Sequence, residues 1–304
     1  MAESLVVRRV KEQIEKARLS QTRAAAEIGI SGSALSQWIA GKYKGDATAL
    51  TAKAQRWLDS TAKRSELVTR MPDPPEWVET PTAKRILGGL GYAQMAADLA
   101  IVYGGAGLGK SISATHYAGS SPNVWVAVMT AGGRSMAGCL ERVAMACGVR
   151  SVNVRPWRLE SEIVDRTSGT HGLLVVDEAQ HLDTRALEAL RGLHDQAGIG
   201  LALMGNELLY SRLTGGRRAA EFAQLFSRVG KRVRLTRPAQ ADVDAILRAW
   251  SISGAAERAQ ALEIARQPGG LRGLTKALRL AAMMAAGQAV AETHLKSAWR
   301  ELAA

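Results

Sequence analysis

Gly104, Gly105, Ala106, Gly107, Leu108, Gly109, Lys110 and Ser111 spell the pattern GxxxxGK[ST]. Residues of these types at this spacing suit a nucleoside triphosphate. The glycines let backbone N–H groups wrap the β-phosphate, and the N-terminus of a following helix adds a partial positive charge. Lys110 is placed to bridge the β- and γ-phosphates and Ser111 to ligate Mg²⁺. Nucleotide contacts, to ATP or GTP, are expected from Gly104 through Ile112. A second element, Leu173-Leu174-Val175-Val176-Asp177-Glu178, sets two carboxylates directly after four apolar residues. Asp177 is expected to hold the Mg²⁺ through water, and Glu178 to orient and polarise the attacking water. A third apolar run, Leu201 to Met204, ends in Gly205-Asn206. The Asn206 amide is placed to reach the γ-phosphate or the lytic water, although Gly-Asn is also a common turn.

These groups need strands that end together. Apolar runs at 100–103, 124–129, 173–177, 200–204 and 232–235 alternate with helical segments, which predicts an α/β fold with a parallel sheet. The phosphate-loop pattern directly follows the first run and opens a helical stretch. Residues 238–302 read as helical throughout, a small closing subdomain. At the other end, residues 4–18 predict an amphipathic helix with Leu5, Val6, Val10 and Ile14 apolar. Ser20 caps a second helix over 21–28, Gly29 turns, and Ser31 caps a third ending near Ala40. The stretch from Thr22 to Gly41 has the pattern of a helix-turn-helix, with Ala25, Ile28, Ile30, Leu35 and Trp38 spaced to bury one face. Ser31, Ser33, Ser36 and Gln37 would then face a DNA groove. That face carries no arginine, which suits phosphate or weak groove contact better than reading of guanines. A three-helix domain that binds protein is the alternative. Residues 71–81 hold four of the eight prolines in the chain and predict an extended linker. The expected domains are therefore 1–66, a linker at 67–82, a nucleotide-binding core at 83–237 and a helical lid at 238–304.

Composition narrows the setting. The chain has 304 residues with 47% hydrophobic and 22% charged, values of a globular protein. No apolar stretch approaches the roughly 20 residues that span a bilayer, and charges interrupt the N-terminal apolar runs as they do not in a signal peptide. Cys139 and Cys147 are the two cysteines, without metal-ligand spacing, and read as free thiols in a reducing cytosol. The net charge of +12 suggests a polyanionic partner. It is unevenly spread: +6 over residues 1–70, −3 over 71–209 and +9 over 210–304. A near-neutral core with basic surfaces at both ends fits a machine better than a packaging protein.

Taken in order, these elements resemble the AAA+ ATPases. Asp177-Glu178-Ala179-Gln180 also resembles a helicase box, but the other helicase motifs and a second motor domain are missing. The helix-turn-helix, the proline-rich linker, VWVAV, GLLVVDEAQHL, the run IGLALMGNELLYSRLTGGRRAAEFAQLFSRVGKR and GGLRGLTKALRLAAM together look like the transposition protein B family of Mu-like phages. The resemblance covers about residues 5–302 and is most specific from Gly200 to Arg232. It implies an AAA+ core with a C-terminal lid behind an all-α domain, and an ATPase that uses Mg²⁺. It puts the arginine finger on Arg228, with Arg212, Arg217 and Arg218 as rivals, Asn206 at the first sensor and Arg272 at the second. It implies ATP-dependent binding of double-stranded DNA with little sequence preference and helical filaments of the protein. It further implies delivery of target DNA to a phage transposase with stimulation of strand transfer, release by hydrolysis, no membrane, and a place in the host bacterial cytoplasm. DNA contacts within the core are expected on Arg134, Arg150 and Arg155. Lys231, Arg232 and Arg234 suit either DNA or the transposase. Two competing functions use the same residues: a sequence-specific transcription regulator, and a helicase loader or secretion-type ATPase.

Overall fold

The computed structural model describes residues 2–70, 75–150, 155–214 and 228–303. The chain divides into two compact units, Met1–Asp73 and Pro74–Ala304.

The first unit is all-helical: α1 (Ala2–Lys16), α2 (Gln21–Ile28), α3 (Gly32–Ile39) and α4 (Ala47–Arg70). The hydroxyl of Ser20 accepts from the Arg23 N–H, and that of Ser31 from the Ala34 N–H, so each helix start meets one of its orphan donors. Between them Gly29 takes φ 79°, the left-handed value that ends α2. Ala25, Ile28, Leu35 and Trp38 are buried as their spacing predicts, and Ile30 only partly. Two details differ from expectation. The first helix stops at Lys16 rather than 18, because Arg18 turns left-handed at φ 50°, and Leu5 is 60% exposed while Val6 and Val10 enter the core. α4 supplies the far wall with Leu50, Ala54, Trp57 and Leu58. Its polar ties to the other helices include Trp57 Nε1 to Glu27 Oε2 at 3.1 Å and Trp38 Nε1 to Thr51 Oγ1 at 3.3 Å.

The second unit holds a five-stranded parallel sheet in the order β2-β3-β4-β1-β5. The strands are β1 (Leu99–Gly104), β2 (Val124–Val128), β3 (Leu173–Asp177), β4 (Gly200–Gly205) and β5 (Val229–Leu235). Side-chain alternation splits the core in two. Leu99, Ile101, Leu174, Val176, Leu201 and Leu203 face one side, under α7 (Met136–Ala146), α8 (Pro156–Thr167), α9 (Thr184–Ala197) and α10 (Glu207–Thr214). Ala100, Val102, Leu173, Val175, Ala202 and Met204 face the other, under α5 (Pro81–Ala96) and α6 (Lys110–Ser120). A parallel sheet buried on both faces explains why its strands read as continuous apolar runs. Four helices close the chain: α11 (Gln240–Ala249), α12 (Ala255–Arg266), α13 (Gly270–Met284) and α14 (Glu292–Ala303). They share a separate core built on Val243, Ile264, Leu274, Leu278 and Leu295.

The linker read over 67–82 is shorter at both ends. Residues 67–70 continue α4, and Pro81 opens α5 at a position where its missing N–H costs nothing. Between them Trp77 stacks on His116 of α6 with ring centroids 4.0 Å apart, and Val78 packs against the lid core. Residues 75–80 are thus an integral part of the second unit rather than a free tether. Prolines forbid the helix interior, and they do not forbid docking.

Candidate nucleotide site and basic edge

The phosphate loop leaves the C-terminal end of β1 and enters α6. Two of its glycines are required by close approach. A Cβ on Gly104 would overlap the Leu235 carbonyl, and one on Gly107, where φ is 76°, would overlap the Gly269 carbonyl oxygen. The second contact brings the start of α13 down on the loop, where the Arg272 N–H donates to the Gly107 carbonyl at 3.3 Å. A buried carboxylate pins the lid nearby. Asp242 of α11 accepts from Thr82 N at 2.8 Å, Thr82 Oγ1 at 2.7 Å and Ala239 N at 2.8 Å, joining the starts of α5 and α11.

Lys110 folds over the loop and donates to the Gly104 and Gly105 carbonyls at 2.8 and 2.7 Å. Its pKa lies below the ordinary lysine value because burial disfavours the ammonium, with Arg272 acting in the same sense and Asp177 and Glu178 opposing. Ser111 Oγ donates to Asp177 Oδ2 at 2.5 Å, so the residues at the ends of the loop and of β3 already meet. Asp177 is 1% exposed, and its other oxygen accepts from the Glu178 N–H at 2.8 Å. Glu178 follows in the left-handed region at φ 57°, which turns the backbone out of the strand direction at this carboxylate.

Gln180, which the sequence reading left without a role, links the groups on β3 and β4. Its Nε2 donates to Glu178 Oε2, and its Oε1 accepts from the Asn206 N–H at 3.3 Å. Asn206 Oδ1 accepts from the Leu208 N–H at 3.0 Å, starting α10, so the Gly-Asn pair does form a turn. Arg212 reaches back to the carbonyls of Gln180 and Leu182 at 3.0 and 2.8 Å. A cleft of about 440 Å³ beside them is lined by Ala131, Arg134, Gln180, His181, Leu182, Asp183 and Arg212.

Lys110, Ser111, Asp177, Glu178 and Arg272 therefore converge, with Ile112 52% exposed on the first turn of α6. Arg228 does not join them. It directly precedes β5, whose Val229 pairs with Leu99 while Leu235 pairs with Gly104. Arg228 thus lies at the opposite end of the sheet from the phosphate loop, roughly 17 Å away for a six-residue strand. There it pairs with Asp195 at 2.7 Å. Arg217, Arg218 and the two residues before Arg228 lie outside the described residues. Of the expected DNA contacts, Ser33, Ser36 and Gln37 are exposed on α3, whereas Ser31 is also its N-cap. Arg150 and Arg155 are exposed on either side of residues 151–154. Lys231, Arg232 and Arg234 are exposed on the edge strand β5, with Lys231 5.8 Å from the centre of the Tyr92 ring.

Comparison with known proteins agrees with this geometry. Residues 93–213 match the AAA domain model, and residues 227–302 match the model for the C-terminal part of the Mu B transposition protein. The chain is 39% identical over 291 residues to the ATP-dependent target DNA activator B of Escherichia phage Mu, covering 95% of this chain and 92% of that one. It is 34% identical over 273 residues to the Mu-like prophage FluMu DNA transposition protein B of Haemophilus influenzae, covering 89% and 94%. Among solved structures, Drosophila ORC bound to DNA matches with a TM-score of 0.51 at 14% identity over 79% of this chain and 65% of that one, a likeness of fold. With that identity carried across nearly its whole length, the chain belongs to the Mu B transposition protein family and is an AAA ATPase.

Proposed function

We propose that this ATPase binds ATP and Mg²⁺, assembles as a helical filament on double-stranded DNA of any sequence, and presents that DNA to a phage transposase of the DDE type. In this reading it stimulates strand transfer and leaves the DNA when ATP is hydrolysed, all in the cytoplasm of the bacterial host. No helix among the described residues is long and apolar enough to cross a membrane. The observation that carries the proposal is the split site: the phosphate loop and carboxylates converge at one end of the sheet while Arg228 stands at the other. An arginine so placed reaches a γ-phosphate only on a second copy, so nucleotide and assembly are coupled.

The residues present fit a Mg²⁺–nucleotide. Ser111 Oγ and Asp177 Oδ2 are 2.5 Å apart, and this cation usually takes only one or two protein oxygens beside phosphate and water. Bound there, Mg²⁺ would neutralise charge on the phosphate oxygens. Lys110 exchanges the loop carbonyls for phosphate oxygens. Glu178 holds the proton of the attacking water, and Asn206 orients that water from the turn after β4. Arg272, already against the loop through its N–H, senses the phosphates from the lid. The basic ends supply DNA phosphate contacts. Many copies in one filament turn these individually weak contacts into firm binding, and salt weakens them steeply.

Negative-stain microscopy on random-sequence duplex DNA tests the reading. Filaments with ATP and Mg²⁺, absent without nucleotide, support it. Discrete dimers that bind a single operator would overturn it in favour of a transcription regulator.

A further inference from the structure

We infer that Asp195 is a positioning residue that holds Arg228 ready for the nucleotide of a neighbouring copy. This rests on the reading of Arg228 as the finger. Asp195 lies two residues from the end of α9, and its two oxygens are divided between two arginines. Oδ1 takes Nη1 of Arg228 at 2.7 Å, and Oδ2 takes Nη1 of Arg191 at 2.8 Å. Arg191 is itself held by Glu188 Oε2 at 2.9 Å, one turn earlier on the same helix. Glu188, Arg191 and Asp195 thus form a row of alternating charge along one face of α9, while Leu187, Leu190 and Leu193 bury the face behind it. The row is anchored on a helix packed into the main core, so Asp195 is a fixed post.

Arg228 needs such a post. Its side chain is 49% exposed, at the entry to an edge strand. A free arginine there would explore many rotamers, and ordering it at the moment of reaction would lower the rate. The contact engages one corner of the guanidinium. Among the described residues, Nε and Nη2 of Arg228 have no partner, and that edge offers the planar fork that phosphate oxygens accept. Arg191 neutralises the second oxygen of Asp195, which limits how much the carboxylate subtracts from the finger's charge. The pair is exposed enough to be worth little as a structural tie, so its removal should touch catalysis before it touches folding.

Steady-state hydrolysis with saturating duplex DNA decides the matter, using the full chain and the variants Asp195→Ala, Arg228→Ala and the double variant. Asp195→Ala should lower kcat about two- to fivefold, the scale of one exposed charge pair. KM for ATP and filament length should stay unchanged. Asp195→Glu should recover more than half of the loss. The double variant should be no slower than Arg228→Ala alone, because Asp195 acts only through that arginine. Wild-type kcat in Asp195→Ala would overturn the proposal, and so would a double variant slowed by the product of the two single effects. If Asp195→Ala unfolds below the working temperature, Asp195→Asn, which keeps the shape, takes its place under the same criteria. Arg228→Ala with wild-type kcat would instead overturn the finger assignment, and an inactive Arg228→Ala beside a normal Asp195→Ala would remove Asp195 alone.

Discussion

The end of the sheet at the phosphate loop and the edge at β5 are built on opposite terms. β1, β3 and β4 are buried at every position, and the groups that follow them satisfy one another: Ser111 with Asp177, Lys110 with loop carbonyls, Glu178 with Gln180. In β5 only Val233 and Leu235 are buried, and Lys231, Arg232 and Arg234 face outward with Arg228 just before them. Under the proposed function, the first region would be completed by a nucleotide entering a preformed cradle, and the second by DNA or a second copy of the chain.

The largest effect expected on either region is that of Lys110→Ala. It removes the cation that leaves the loop carbonyls for phosphate, and ATP affinity should fall by about a hundredfold or more. DNA filaments should vanish with it, as read by titration with a fluorescent ATP analogue and by microscopy. Filaments that persist without nucleotide binding would show that the basic edge works unaided, and the contrast between the two regions would fail.

Next comes Glu178→Gln, which keeps the shape of the side chain and removes its charge. Hydrolysis should fall by about 10²- to 10⁴-fold while ATP stays bound and the DNA complex persists. Hydrolysis at the wild-type rate would move the water-activating role to another residue. Gly107→Ala should come third. Its Cβ must displace the Gly269 carbonyl, pushing the start of α13 and Arg272 from the loop, at a backbone φ of 76° that alanine resists. An ATP affinity lower by about tenfold with unchanged lid stability would mark the loop–lid contact as part of the binding site.

How much of this was legible in the sequence follows the range of the contacts. The phosphate loop, the Asp177-Glu178 pair and the first four strands are short-range features, runs whose steric or apolar demands are met locally, whereas β5, read from 232, begins at Val229 because its start is exposed and basic. Arg212 and Arg228 look alike in sequence, two cations in one basic stretch. The family resemblance favours Arg228, and the physical reason against Arg212 shows only in the fold, where it binds the carbonyls of Gln180 and Leu182 some thirty residues earlier. The Thr82–Asp242 tie spans 160 residues and has no local signature at either end, since Asp242 reads as an ordinary acidic residue at a helix start. Gln180 was visible inside Asp177-Glu178-Ala179-Gln180, but its second partner, Asn206, lies 26 residues on, just beyond β4. The proline-rich segment misled for a related reason: residues 75–80 are non-helical as read and Pro81 instead opens α5, while the docking of Trp77 on His116 depends on a surface that exists only after folding.

The smallest effect expected is also the one that separates the two regions most cleanly. Lys231 leans over the Tyr92 ring on an open edge, with no described contact to the phosphate loop. If it meets a DNA phosphate, Lys231→Ala should reduce the slope of log affinity against log salt by about one unit and weaken binding a few-fold, whatever the DNA sequence. ATP affinity should not change, because the side chain is outside the cradle. A salt slope equal to the wild type's, with transposase stimulation lowered, would instead assign this end of the edge to the transposase. The ATP cradle would keep its role under either result, since Lys110, Ser111 and Asp177 meet within one chain.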